Sequence, residues 1–169
     1  MRENGEKWWK VEQTNSVKQF RGFYGNYQHS LDVKGRVFVP SKFRDGLSPC
    51  FMLAKWLDGC LAAFPMSEFD EIDKKLKAIP FTNKAGRQFK DFFYNGASDC
   101  DIDKQGRINI PQDLREYAGL EKDVCIAGSS NYVKIWDYSK WKKSTDEYGE
   151  NADALASGMD ELLRDVDIS

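Results

Sequence analysis

Residues 29–44 read HSLDVKGRVFVPSKFR, and residues 100–115 read CDIDKQGRINIPQDLR. A shift of 71 positions superimposes five identical residues of the two stretches, namely Asp32 on Asp103, Gly35 on Gly106, Arg36 on Arg107, Pro40 on Pro111 and Arg44 on Arg115. With a shift of 72, the segment FPMSEF (64–69) also aligns with WDYSKW (136–141). Identities at so many fixed spacings indicate an internal duplication that fills most of the chain.

Each copy of the motif predicts a turn, a strand and a short helix. An Asp followed three residues later by a Gly favours a tight turn, because the carboxylate accepts backbone N–H groups and glycine adopts positive φ. Val37 and Val39 then alternate with Phe38, which is the period of a strand with one buried face. A proline suits the start of a helix, so SKFRDG (41–46) and QDLREYAG (112–119) are predicted as short helices, the second ending at Gly119.

The segments outside the motif predict hairpins and longer helices. CFMLAKW (50–56) pairs with CLAAFP (60–65) across LDG, and DVCIAGSSNYVKIW (123–136) forms the equivalent hairpin. The segment SEFDEIDKKLKAI (67–79) is predicted as a helix capped by Ser67, with Asp70 as capping-box partner and Ser139 as the matching cap in the second copy. TNKAGRQFKDFFYNG (82–96) predicts a helix from Thr82 to just before Gly96, with its phenylalanine stripe in the core.

The length and the repeat predict the domain organisation. Each copy alone offers too little apolar surface for a stable core, so we expect an α+β fold in which two halves share one core about a pseudo-two-fold axis. We assign residues 1–20 to an extension, 21–95 to the first repeat, 96–143 to the second and 144–169 to an acidic segment. Composition favours a flexible extension, the alternative being a subunit contact anchored by Trp8 and Trp9. An amphipathic helix and disorder both remain open for the acidic segment.

The charges are unevenly distributed along the chain. The net charge of −2 indicates no particular partner. Residues 21–55, however, carry six basic and two acidic side chains, whereas residues 144–169 carry one basic and eight acidic. The first region suits phosphate and the last does not.

The cysteines and the N-terminal residues predict the setting of the protein. Cys50, Cys60, Cys100 and Cys125 have no C-x-x-C spacing and do not recur at the repeat offset. We therefore expect neither a metal site nor a cofactor. The first 20 residues are mainly polar, which predicts no signal peptide and no membrane span. A reducing, cytoplasmic setting with free thiols follows.

Four stretches, in this order, resemble the MraZ family of bacterial regulators: NYQHSLDVKGRVFVPSKFR, LDGCLAAFP, GASDCDIDKQGRINIPQDLREYAGL and YVKIWD. Members of this family carry two copies of a D-x-x-x-R motif. The resemblance runs from about residue 23 onward, and the long N-terminal extension departs from the family pattern, which begins just before the position of Tyr24. It implies a fold like that of AbrB and SpoVT, made from two tandem halves of a swapped-hairpin β-barrel.

The resemblance also implies a function and partners. Proteins of this family assemble as closed rings and act as sequence-specific transcriptional regulators without catalytic activity. They bind short direct repeats in the promoter of the division and cell-wall gene cluster, which implies double-stranded DNA and further copies of the chain as partners, a nucleoid-associated location and no membrane contact. Arg36 and Arg107 would contact DNA.

The residues themselves support this assignment. An arginine that leaves a tight turn is ordered by its backbone, so its planar guanidinium can meet a guanine edge or a phosphate at little entropic cost. Further candidates are Lys34, Lys104, Lys42, Arg44 and Arg115, while Asp32, Asp103, Gly35 and Gly106 would brace the turns. Because the first copy has the richer basic setting, we expect it to contribute more. The alternative is that each Asp–Arg pair is a purely structural clamp.

Two other classes of function stay open at this point. An enzyme could use Asp32 and Asp103 as a carboxylate dyad, although each precedes an arginine and lacks the following Thr/Ser-Gly pair. The only histidine, His29, has no nucleophile in a recognisable context. A pure interaction module of antitoxin type could use the acidic segment to hold a basic partner or to compete with DNA for the arginines of its own subunit.

Overall fold

The computed structural model describes residues 19–166. In this range the strands are Asn26–Ser30 (β1), Arg36–Phe38 (β2), Cys50–Lys55 (β3), Leu61–Pro65 (β4), Ser98–Asp101 (β5), Arg107–Asn109 (β6), Asp123–Gly128 (β7) and Val133–Asp137 (β8). The α-helices are Ser41–Leu47 (α1), Met66–Lys77 (α2), Lys84–Asn95 (α3), Gln112–Ala118 (α4), Tyr138–Glu150 (α5) and Ala152–Arg164 (α6). The fold is α+β, as predicted, and the predicted extension lies outside the described residues except for positions 19 and 20.

The two copies exchange strands. The main antiparallel sheet has the order β1-β7-β8-β4-β3-β5. The equivalent strands of the two copies are β1 and β5, β3 and β7, and β4 and β8. The two members of each pair lie equally far from opposite edges of the sheet. β1 of the first copy pairs with β7 of the second, and β5 of the second pairs with β3 of the first. The expected pseudo-two-fold arrangement of swapped hairpins is therefore confirmed.

A separate two-stranded ribbon joins the copies at their motifs. Strands β2 and β6 pair antiparallel, with Val37 opposite Ile108 at the centre. These two side chains are buried, and they pack in the same apolar cluster as Phe51 and Ile126 of the main sheet. The apolar side chains of the ribbon therefore pack on one face of the main sheet. The side chains that alternate with them lie on the outer face of the ribbon.

Both faces of the main sheet are covered. One face packs against the ribbon and against the short helices, through side chains such as Phe43 of α1 and Leu114 of α4. The opposite face packs against α2 and α3 around Phe93, and against α5 around Trp136. This double coverage explains why β4 and β7 carry nearly continuous apolar runs. Four apolar side chains of α2 and the residues just after it (Phe69, Ile72, Leu76 and Ile79) and the phenylalanine stripe of α3 lie in this second layer.

The two short helices begin at Ser41 and Gln112, as predicted, whereas the starts of the longer helices α2, α3 and α5 differ from those predicted. Helix α2 begins at Met66, so Ser67 lies inside its first turn and makes no capping hydrogen bond. Asn83, one residue after the predicted Thr82, caps α3 by accepting the Gly86 N–H at 2.8 Å. Asp137, not Ser139, caps α5 by accepting the Lys140 N–H at 3.1 Å. Because several residues with suitable oxygens stand side by side, sequence alone does not place a cap to one residue.

The acidic C-terminal segment is helical as far as Arg164, apart from Asn151. It forms the end of α5 and all of α6, where every residue from 151 to 166 is exposed. The exposed set includes the large apolar residues of the helix, Leu155, Met159, Leu162 and Leu163. Among residues 19–166, no helix has both the length and the apolar character needed to cross a membrane.

Candidate nucleic-acid interface

The first motif folds as a tight turn closed by Asp32. Its Oδ1 accepts the backbone N–H groups of Lys34 at 3.0 Å and Arg36 at 2.8 Å. Its Oδ2 accepts Nε–H of Arg36 at 2.7 Å. Gly35 adopts a φ of 80°, which completes the turn in the left-handed region that glycine favours. The carboxylate of Asp32 thus stabilises the turn and also orients the side chain of Arg36.

The second motif repeats this geometry. Asp103 Oδ1 accepts the N–H groups of Gln105 at 2.9 Å and Arg107 at 2.8 Å, and Oδ2 accepts Nε–H of Arg107 at 3.0 Å. Gly106 has a φ of 84°. Two turns of different sequence therefore share one set of hydrogen bonds, and the aspartate and arginine whose side chains take part in them recur at an offset of 71.

The pKa of both aspartates is lowered. The largest cause is the hydrogen bond from the backbone N–H of Arg36 to Asp32, and that of Arg107 to Asp103. The guanidinium groups lower each pKa further by hydrogen bonding and charge. Both carboxylates are thus ionised at neutral pH, and in this state both of their oxygens can accept the hydrogen bonds of the turn.

The arginines use only part of their donor capacity for these bonds. Within residues 19–166, no hydrogen bond involves the Nη atoms of Arg36 or Arg107, because only Nε faces the carboxylate. The side chain of Arg36 is 31% exposed, and that of Arg107 is 21% exposed. A guanidinium held by Nε presents its two Nη groups as a preorganised fork, the geometry that matches a guanine edge or a phosphate.

The outward face of the ribbon carries four side chains. The register places Arg36 opposite Asn109 and Phe38 opposite Arg107. Because Val37 and Ile108 point inward, the alternation of a strand puts the other four residues on the outer face. Phe38 is 46% exposed, and Asn109 is exposed as well. Phe38 and Asn109 were not among the predicted site residues, although the strand period places them beside the arginines.

The second pair of motif arginines lies between the copies. Arg44 donates from Nε to the Val39 carbonyl at 3.0 Å, and a Cβ added to Gly106 would lie 2.5 Å from its Cζ. Arg115 repeats both relations with the Ile110 carbonyl and Gly35, at 3.0 Å and 2.7 Å. Each of these arginines therefore covers the turn of the opposite copy, a packing role that the sequence does not reveal.

The remaining candidate cations lie around the turns and on α1. Lys34 and Lys104 are exposed within the two turns, and Lys42 is exposed on α1. The two turn lysines are not equivalent: at an offset of 71, Lys34 corresponds to Gln105, and Lys104 to the fully exposed Val33. The two turns thus have the same backbone and different exposed side chains.

The flanks of the ribbon differ in charge. On the side of the second copy, Asn109 borders a shallow depression that is also lined by Asp99, Asp101 and Pro111. The equivalents of these two aspartates in the first copy are the neutral residues Gln28 and Ser30. A phosphate backbone would therefore meet less repulsion beside the first copy.

Comparison with known proteins gives a consistent result over most of the chain. A family model described as "MraZ protein, putative antitoxin-like" matches twice in succession, over residues 23–92 and 93–161. The chain is 53% identical to the transcriptional regulator MraZ of Acetivibrio thermocellus over 137 residues, which are 81% of this chain and 96% of that relative. The proteins of the same name from Natranaerobius thermophilus and Heliobacterium modesticaldum are each 45% identical over 146 residues, covering 86% of this chain and 99% of each relative.

Proposed function

The chain belongs to the MraZ family, and from that membership we propose that it is a DNA-binding transcriptional regulator that reads double-stranded DNA through the outward face of the β2–β6 ribbon. Its targets are short direct repeats in the promoter of the division and cell-wall gene cluster. Arg36 and Arg107 supply the base or phosphate contacts, and a nucleoid-associated location follows from such binding.

One observation supports this proposal above the others. Arg36 and Arg107 stand on the outer face of a two-stranded antiparallel ribbon, each held by Nε and each with its Nη groups unused among the described residues. The major groove of B-DNA admits a two-stranded ribbon, and an arginine that meets O6 and N7 of guanine is the commonest specific contact there. A purely structural clamp would not require the Nη groups of both arginines to stay without a hydrogen-bond partner among the described residues.

The other cations take different parts in this proposal. Lys34 and Lys104 in the turns, and Lys42 on α1, are exposed and are assigned to phosphate contacts. Arg44 and Arg115 keep the turns in place from the opposite copy, and any DNA contact they make is secondary to this packing. We expect the first copy to contribute more affinity, since it has Gln28 and Ser30 at the positions of Asp99 and Asp101.

A single subunit offers few phosphate contacts, so its own affinity is expected to be weak and sensitive to salt. Several subunits on tandem sites raise the affinity through effective concentration. A closed ring of identical subunits fits this requirement, because it presents the same ribbon repeatedly.

Helix α6 supports an assembly of this kind. Leu155, Met159, Leu162 and Leu163 remain exposed on it, and an isolated helix of 13 residues has little stability in water without packing on an apolar face. The α2–α3 connection offers a complementary surface, because residues 74–90 carry six basic and no acidic side chains and Phe81 is 81% exposed. We assign the acidic, apolar α6 to this surface of a neighbouring copy, a head-to-tail contact that can close into a ring.

The relatives of this chain are named as regulators and not as enzymes, which favours a non-enzymatic role. The geometry of the aspartates agrees with it. Asp32 and Asp103 precede antiparallel strands and lie in separate turns, each bound to its own arginine. A shared-proton dyad requires one carboxyl with a raised pKa, whereas both pKa values are lowered here.

An interaction module of antitoxin type is the second candidate function. It is favoured by the same exposed apolar stripe of α6, which a protein other than a second copy could cover. In that case the assembled protein would form a stable complex with the partner and would not distinguish its own upstream DNA from a scrambled duplex.

The direct experiment is a gel shift of the purified chain with the DNA upstream of its own gene, titrated with salt and compared with a scrambled duplex. Selective retardation that weakens steeply with salt is expected. Equal retardation of both duplexes would contradict sequence-specific binding by this chain.

A further inference from the structure

The two ends of the ribbon carry the same arginine, but the residue opposite that arginine differs between the two ends. Arg36 and Arg107 occupy equivalent positions of the two copies, and so do Phe38 and Asn109. The antiparallel register sets Asn109 across from Arg36 and Phe38 across from Arg107. One end of the outer face therefore combines an arginine with an amide, and the other end combines an arginine with a phenyl ring.

Neither Phe38 nor Asn109 has an evident structural task. Phe38 keeps 46% of its surface exposed and lies outside the three apolar clusters of the described residues. Within residues 19–166, the Asn109 side chain makes no hydrogen bond, although the Asn109 residue is paired through its backbone in the ribbon. A large exposed phenyl ring and an unused amide, both beside arginines, are features of a surface that contacts something else.

The chemistry of these side chains matches different bases. In the major groove, an asparagine pairs with N6 and N7 of adenine, and an apolar side chain packs on the methyl group of thymine. Directly opposed side chains of an antiparallel pair have Cβ atoms about 5 Å apart, so each end of the ribbon spans about one to two base-pair steps.

Resting on the proposed function, we propose that Phe38 and Asn109 give the ribbon a reading direction. Asn109 contacts an adenine beside the guanine that Arg36 contacts, and Phe38 packs on a thymine methyl beside the guanine that Arg107 contacts. A reader with true two-fold symmetry would favour palindromic sites. An asymmetric ribbon binds a site better in one orientation of the DNA than in the other. Several subunits that face the same way can therefore bind copies of the site only when these copies repeat in the same direction.

The exposed residues of the turns reinforce this asymmetry. Val33 and Lys34 flank the end that carries Arg36, whereas Lys104 and Gln105 flank the end that carries Arg107. All four residues are exposed. The backbone of the two turns, however, is the same, so the difference between the two ends lies in their side chains alone.

The test is selection from a library of randomised duplex DNA by the full chain and by three variants. Phe38→Asn gives both ends of the ribbon the same pair of side chains and leaves both arginines in place. Asn109→Ala removes only the amide and keeps the exposed strand, so it serves if Phe38→Asn does not fold. Arg36→Ala shows whether the ribbon reads DNA at all. Circular dichroism and thermal melting monitor the fold of each variant.

The wild type should select a motif that is not palindromic, whereas Phe38→Asn should select a palindromic motif with an adenine beside the guanine at each end. Asn109→Ala should lose about 5- to 150-fold of the discrimination at the adenine alone. An unchanged motif in both Phe38→Asn and Asn109→Ala would overturn the directional inference while leaving the ribbon as the reader. An unchanged motif in Arg36→Ala would instead overturn the proposed function.

Discussion

The guanidinium group of Arg115 covers Gly35, the glycine of the other copy's turn. A Cβ atom at Gly35 would lie 2.7 Å from Cζ of Arg115, and Arg44 has the same relation to Gly106 at 2.5 Å. Each turn that positions an outward-facing arginine therefore packs against a second arginine, which comes from the opposite copy. The outer surface of the ribbon therefore depends on both copies.

This packing predicts that Gly35→Ala destabilises the fold by about 1–3 kcal/mol, from the strain of positive φ and the displacement of Arg115. Gly59→Ala is the matched control, because Gly59 has a φ of 79° and no atom within 4 Å of its added Cβ. Urea unfolding should show a larger loss for Gly35→Ala than for Gly59→Ala. In the double variant G35A/R115A the two effects should be less than additive; full additivity would argue against the contact.

The lowered pKa values predict a dependence of stability on pH. A carboxyl whose folded pKa lies below its unfolded pKa contributes stability above the unfolded value of about 3.9, and that stability is lost as pH falls through the folded pKa. Asp32 and Asp103 should therefore titrate below the ordinary range in an NMR titration of the carboxyl carbons.

The same titration separates the causes of the shift. In Arg36→Ala the pKa of Asp32 should rise and still remain below its ordinary range, because its largest cause is the backbone N–H of residue 36, which alanine retains. Asp103 is the internal control and should not move. A return of Asp32 to its ordinary pKa would show that the guanidinium dominates.

Thiol reactivity tests the packing of the main sheet. Burial raises the pKa of the Cys60, Cys100 and Cys125 thiols to about 11, which leaves little reactive thiolate in native protein. Cys50 is only partly buried. Alkylation under native conditions should modify Cys50 first, whereas all four thiols should react in urea. Early modification of Cys60 or Cys125 would contradict the packing around Trp136.

The proposed contact of α6 predicts that Leu162→Lys lowers the assembled mass, because it places a charge in the apolar stripe. Ser157→Lys is the matched control on the same helix, since Ser157 is exposed and lies outside that stripe. Light scattering of both variants measures the mass, and circular dichroism measures the helix content. Equal masses of the Leu162→Lys variant and the wild type would rule out this stripe as the assembly surface.

The sequence predicted the local elements well because they depend on local chemistry. The turns follow from Asp and Gly at fixed spacing, the strands from the alternation around Val37 and Ile108, and the end of α4 from Gly119, which has a φ of 65°. The pseudo-two-fold arrangement followed from the repeat. Caps were displaced by one or two residues, because Asn83 stands beside Thr82 and Asp137 stands close to Ser139.

The parts that sequence did not predict depend on contacts between the copies. Nothing in the local sequence around Arg44 or Arg115 indicates that each packs on a glycine 62 to 80 positions away. The register that sets Phe38 opposite Arg107 likewise exists only once the strands pair. Arg36 and Arg107 were identified from the repeat itself, and their contact with DNA stays a prediction.

The central claim is that Arg36 and Arg107 read DNA through the Nη groups that make no hydrogen bond among residues 19–166. The most direct test compares the affinity of the wild type, Lys34→Ala and the double variant R36A/R107A for the upstream duplex and for a scrambled duplex, over a series of salt concentrations. Lys34→Ala should weaken both affinities alike and reduce the salt slope by about one. The double variant should keep its fold and lose its preference for the upstream duplex, by about 10-fold or more per arginine. A double variant that still prefers the upstream duplex as strongly as the wild type does would contradict the account.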